Sequence, residues 1–477
     1  MDPELIKRLL EKNILVSPDT TDEEARRLLG DAPETKLVIN PNEAPELNIV
    51  YDFNEPPKKR TVQDFVGLFN ARFRELEGIL RNRVELQNLT SISRAKKMQA
   101  RERTAIIGMV LDKRETKNHN IILVMEDQTG SITTIFTQKN KETFEMVKDI
   151  MLDEVIGITG QTAGDAIFAD KIILPDVPVT KELRKAQEDE YLVVLGDPHI
   201  GSKRFLRHSF GKFLQWINAE AGTPEQRDNA KKVKHIIVTG DLVEGVGIYP
   251  NQERDLEIPD IRAQYEALTS IISQIPQRIR ITMFTGNHDS GRMAEPQPAL
   301  GDYYSETLHK LPNVTFVSNP SVVNIGRTDK FEGFDLLLYH GYSLGYYGTN
   351  IPSVRAAGGM TRADLIMKYF LQRRHLAPSH KSTLYVPTPQ KDPLVISTIP
   401  DFFITGHTHC VTVTNYRNIT LINGSCWAGM SEDQEKRGIT PAPARIILVN
   451  LKTRAVKIMN FMDKTDIEEG RSLELVA

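Results

Sequence analysis

The 477-residue chain carries 60 Lys and Arg against 63 Asp and Glu, a formal net charge of −3, with 40% hydrophobic residues and two cysteines. This is a globular composition, too long for one ordinary core; it excludes a collagenous or disulfide-framework protein, and any nucleic-acid binding must rest on local basic patches rather than bulk charge. No apolar run is long enough for a transmembrane helix and no signal-peptide start is visible, so a cytoplasmic location without membrane contact is expected.

Residues 1–30 hold two short helical patterns: Leu5, Ile6, Leu9 and Leu10 share a face, and Thr21 with Glu24 forms a capping box ahead of Leu28 and Leu29. They are expected to form a small helical module. Residues 31–60, with Pro33, Pro41, Pro45, Pro56 and Pro57 and no periodicity, read as a linker. From Thr61 a strongly amphipathic helix is expected to about residue 83, its apolar face carrying Phe65, Val66, Phe69, Phe73, Leu76, Ile79 and Leu80. The basic cluster Arg94, Lys96, Lys97, Arg101 and Arg103 completes a 61–103 segment and is open between a solvated face and a nucleic-acid contact.

The pattern then changes to short β-branched runs at 105–111, 120–125, 131–136, 155–159 and 166–169, with a helical stretch at 141–151 between the third and fourth. That is the order of an OB-fold barrel, expected over 104–178. Its aromatics Phe136 and Phe168 are open between core and base stacking, and a protein-binding platform is the preferred role. The rest of the chain, 190–477, reads as a two-sheet α/β domain, with buried strands at 191–195, 235–239, 280–285, 334–339 and 402–405 and helices at 260–275 and 361–374. Further strands are expected at 411–415, 420–423, 445–450 and 455–459. The fold class is therefore multi-domain α+β. Cys410 and Cys426 read as buried structural thiols.

Each of the main α/β strands runs into a short polar motif: Gly196-Asp197-Pro198-His199, Gly240-Asp241, Gly286-Asn287-His288-Asp289, His340-Gly341 and Gly406-His407-Thr408-His409. Any one of these is common by chance; the ordered series is not. Phosphoester hydrolysis needs a nucleophile at neutral pH and positive charge against the developing oxyanions, which two divalent ions about 3.5–4 Å apart supply together. The expected site has Asp197, His199 and His409 on one ion, Asp241 bridging, and Asn287, His340 and His407 on the other. All-N/O ligation suits Mn²⁺, with Fe²⁺ or Zn²⁺ as alternatives.

The series resembles the signature of the calcineurin-like metallophosphoesterases over roughly residues 190–460. The whole chain resembles the small-subunit family of archaeal D-family DNA polymerases, through the order helix, OB barrel, phosphoesterase, and through FVGLFNARFRELEGILRNR, GDLVEGVGIYPNQ and HGYSL. That resemblance implies a proofreading 3′-to-5′ exonuclease working on single-stranded or frayed 3′ ends beside a large catalytic subunit. The alternatives are a phosphatase or nucleotide phosphodiesterase of the same fold, and a scaffold without activity. By the same resemblance His288 is the residue expected to protonate the leaving oxygen, and Glu244 falls where relatives orient this histidine. Asp289 is open between a site role and a loop contact. Tyr342, Tyr346 and Tyr347 are open between base stacking and packing, Arg292, Arg355 and Arg362 between phosphate contacts and ordinary surface, and Arg373, Arg374 and His375 are expected to be exposed.

Overall fold

The computed structural model describes residues 44–431, 434–435 and 439–471. The helical module expected at 1–30 lies outside the described residues, as does most of the first half of the 31–60 linker. The remainder of that linker is not unstructured: β1 (Leu47–Tyr51) pairs antiparallel with Ser321–Ile325, so the chain enters the fold as the edge of a sheet.

The helix follows at Val62–Leu80, capped by Thr61 and Asp64, with Leu68, Phe73, Leu76 and Leu80 buried as the 3.6-residue period requires. Five strands come next: β2 (Arg103–Glu115), β3 (Ile121–Asp127), β4 (Gly130–Phe136), β5 (Val155–Thr162) and β6 (Ala166–Ile173). They close into a barrel in the order β2-β3-β4-β6-β5, and the helix Lys141–Lys148 stands between the third and fourth. Phe136 is core, whereas Phe168 is 48% exposed.

The remaining strands form two six-stranded sheets. One contains β7 (Tyr191–Leu195), β8 (Val233–Val238), β9 (Arg280–Met283) and β10 (Val314–Phe316), all parallel. The other is built around β11 (Ser321–Ile325), β12 (Phe334–Leu338), β13 (Phe402–Thr405), β14 (Thr412–Tyr416) and β15 (Ile419–Asn423), with β1 at its edge. Antiparallel β16 (Arg445–Asn450) and β17 (Val456–Asn460) complete the first sheet beside β7.

Strand alternation explains the layering. Leu192 and Val194 of β7, Leu336 and Leu338 of β12, and Phe402 and Ile404 of β13 meet between the sheets. The intervening Val193 and Leu195 face the helices Arg207–Ile217 and Ile261–Ile272, while Leu337 and Phe403 face Ala363–Arg373. Strands buried on both faces read as continuous apolar runs, which is why they were visible in the sequence.

Arg373, Arg374 and His375 are buried, against the expectation of exposure. Arg373 donates to Glu154 at 3.2 Å and covers the Tyr369 ring, Arg374 donates to the carbonyls of Ile396 and Ser397, and His375 Nε2 lies 2.9 Å from Asp392. A basic run on a helix end reads as solvated unless partners distant in sequence are known. Among the described residues, no helix is long and apolar enough to cross a membrane.

Candidate metal centre

Every motif sits on a loop at the carboxyl end of a parallel strand. Asp197 and His199 follow β7, Asp241 follows β8, Asn287 to Asp289 follow β9, His340 follows β12, and His407 and His409 follow β13. Because the two sheets face each other, these loops converge from both sides of the sandwich. His199, Asp241, His407 and His409 all hold positive φ, a costly backbone for side chains of this kind and one that gathers at functional sites. Gly286 is required by close approach, since a Cβ there would lie 2.2 Å from Asp241 Oδ1; Gly240 combines φ +91° with contact to the His340 ring.

Two ligand groups result, and Asp241 belongs to both: Asp197, His199, Asp241 and His409 in one, Asp241, His340 and His407 in the other. His199 Nε2 lies 3.0 Å from His409 Nε2, and His409 Nε2 lies 3.5 Å from Asp197 Oδ2. On the other side His340 Nε2 is 3.4 Å from Asp241 Oδ2 and 3.1 Å from Asn287 Oδ1, which adds Asn287 to that group.

Surrounding bonds set the ring orientations. His340 Nδ1 donates to the Thr239 carbonyl at 2.8 Å, leaving Nε2 to face Asp241 and Asn287. His199 Nδ1 donates to Glu244 Oε2 at 3.0 Å, the carboxylate–histidine arrangement that orients metal ligands. Asp197 Oδ1 accepts from the Thr239 hydroxyl and its Oδ2 from the His407 amide. The Gln434 amide lies 2.7 Å from His409 Nδ1; turning that amide end for end moves the ring proton to Nδ1 and frees Nε2.

These donors fit a pair of cations. Bare imidazole nitrogens and carboxylate or amide oxygens point at one another across roughly hydrogen-bond distances, which is repulsive unless positive charge lies among them. Protons serve in the apo chain. Burial would lower His199, but the Glu244 hydrogen bond and neighbouring carboxylates push it up to about 9, and Asp241 likewise overrides burial to push His340 up to about 10. Burial would raise Asp241, yet the charge of His340 holds it well below the usual carboxylate range.

His288 is half-buried, its ring centroid 4.9 Å from that of His199. Its Nδ1 meets the backbone carbonyl of Glu244 at 2.8 Å, not the carboxylate. The expected pairing of the Glu244 side chain with His288 is thus corrected: the carboxylate holds His199 and accepts from the Tyr249 hydroxyl at 3.2 Å, while the main chain holds His288. Asp289 is a loop contact, accepting from the amides of Leu242 and Gly286 and from the Tyr265 hydroxyl.

The expected substrate contacts divide. The Tyr342 ring is 5.7 Å from His407, beside the ligands. Tyr346 and Tyr347 stack on each other at 5.3 Å, Tyr347 wholly buried and Tyr346 partly so. Arg292 donates to the Pro296 carbonyl and covers Phe53, Arg362 pairs with Asp364, and Arg355 is exposed on the Pro352–Ala356 helix. Thr239, Tyr249, Tyr265 and Gln434 escaped sequence reading. Only Thr239, a hydroxyl directly before Gly240-Asp241, offered a signal.

Residues 192–414 match the family model for the B-type small chain of DNA polymerases alpha and epsilon. The DNA polymerase II small subunit of Methanothermobacter thermautotrophicus is 36% identical over 385 residues, covering 81% of this chain and 77% of that one. That of Archaeoglobus fulgidus is 37% identical over 382 residues, covering 80% and 74%. The Pyrococcus furiosus protein of the same name is 35% identical over 402 residues, 83% of this chain but 63% of its own length. The motifs of the metal centre fall inside the matched regions of a chain that belongs to the family of DNA polymerase II small subunits, those of the archaeal D-family polymerases.

Proposed function

We propose that this chain is the 3′-to-5′ proofreading exonuclease subunit of a D-family DNA polymerase, hydrolysing terminal phosphodiesters at a two-metal site in an assembly with a large catalytic subunit. The observation that carries this reading is the single carboxylate, Asp241, shared by both ligand groups. Asp197, His199, Asp241 and His409 would hold one cation and Asp241, Asn287, His340 and His407 the other. Two divalent cations, Mn²⁺ foremost, supply Lewis acidity toward both the attacking water and the phosphate.

The chain's own residues do the rest. Thr239 and Glu244 hold Asp197 and His199 in place, so little reorganisation accompanies reaction. His288, tied through Nδ1 to the Glu244 carbonyl, presents Nε2 to give a proton to the departing 3′-oxygen. Tyr342, beside His407, flanks the entering strand. The closed barrel reads as an OB fold that carries contacts to the large subunit.

A 5′-labelled primer incubated with the assembled complex in Mn²⁺ tests the reading. Wild type is expected to shorten it one nucleotide at a time, EDTA to stop the reaction, and His288→Ala to slow it by about a hundredfold or more. Unchanged digestion by Asn287→Ala and His288→Ala would favour a scaffold.

A further inference from the structure

A cavity of about 290 Å³ opens behind the loop that carries Asn287 and His288. Its walls include Thr285, Ser290 and Arg292 from that loop and Tyr303 and Tyr304 from the following helix, Asp302–His309. Large aromatics normally bury their rings, yet Tyr303 is 73% and Tyr304 39% exposed. Their rings stand edge to face at 4.7 Å, and the Arg262 guanidinium lies 5.8 and 6.0 Å from them, donating also to the Tyr303 carbonyl. The Thr285 hydroxyl is buried without a hydrogen-bond partner among the described residues. Arginine over stacked aromatic edges, beside an unsatisfied hydroxyl, suits a planar, hydrogen-bonding, anionic ligand.

Resting on the function proposed above, we infer that this cavity receives one unpaired base of the strand whose phosphate is at the metal centre. The base lies against Tyr303 and Tyr304, and Arg262 and Arg292 stand over its phosphodiester side. The ligand class is a single nucleotide unit of single-stranded nucleic acid; the cavity's volume leaves no room for a base pair. Withdrawing a base into this cavity separates it from its template partner, so the cavity selects strands with a frayed end.

The test is run in EDTA with the full chain and a single-stranded oligonucleotide carrying 2-aminopurine at its 3′-terminal or at a distant internal position. Terminal 2-aminopurine is expected to be quenched on binding. Tyr303→Ala and the pair Tyr303→Ala/Tyr304→Ala are expected to remove the quench and weaken binding by about fivefold or more. Tyr303 is mostly exposed, and an unchanged melting temperature would show that the fold is intact. Wild-type quenching in the variants, or equal quenching at the internal position, would overturn the inference. If free 2-aminopurine nucleotide is quenched as strongly as the strand end, the site is a nucleotide pocket and the strand assignment falls. Because the assay needs no metal, quenching without Mn²⁺-dependent hydrolysis would fail the proposed activity alone, and hydrolysis without quenching would fail the cavity alone.

Discussion

Glu244 serves two histidines through different atoms, the carboxylate holding His199 and the carbonyl holding His288. Glu244→Gln removes the charge from His199 while leaving the carbonyl contact, so Mn²⁺ affinity measured by calorimetry is expected to fall by about 10- to 100-fold. A second buried carboxyl responds to pH. Burial pushes Glu295 up to about 7 from 4.5, against hydrogen bonds from Thr383 and Tyr339. The folded state therefore binds its proton more tightly than the unfolded chain does. The resulting stabilisation is complete below about pH 4.5 and is lost as pH rises through 7, on the order of 3 kcal/mol. Urea unfolding midpoints followed across that range should fall for wild type and stay flatter for Glu295→Gln. At this scale the ligands were legible because glycine-flanked polar motifs interrupt apolar strands. The partner of Glu244 was not, since spacing in sequence does not say which atom of a residue turns inward.

The helix Val62–Leu80 is fastened to the sandwich by a buried network: Arg72 donates to Asp392 at 2.6 Å and to the Pro378 carbonyl, and Asp392 also meets His375. Removing one partner strands the other, so Arg72→Ala is expected to cost about 3–5 kcal/mol in chemical denaturation, more than an exposed arginine on the same helix. The helix itself was plain in the sequence, because seven apolar residues repeat at helical spacing. Its docking was not, because Arg72 and Asp392 are 320 residues apart. β1 was missed for a related reason. Its five residues pair only along one edge, so no apolar alternation marks them in a proline-rich context, and their partner β11 lies beyond the barrel in sequence.

Across the molecule, the barrel and the sandwich meet through Glu154 at the start of β5, which accepts from Tyr369 and Arg373. Glu154→Ala leaves Arg373 buried without its counter-charge and is expected to split a single calorimetric transition into two, with the barrel melting first. The layered plan was readable from the succession of strand runs; how the layers touch was not, because each contact joins distant segments. The arrangement of ligands has one further effect. Asp197, His199, Asp241 and Asn287 hang from one sheet, and His340, His407 and His409 from the other. Any ion gripped by both sets is a rivet through the sandwich, and the melting point becomes a gauge of loading. Free Mn²⁺ at a hundred times its dissociation constant should add about 2.7 kcal/mol, seen as a rise in melting temperature that chelation reverses and Asp241→Asn abolishes.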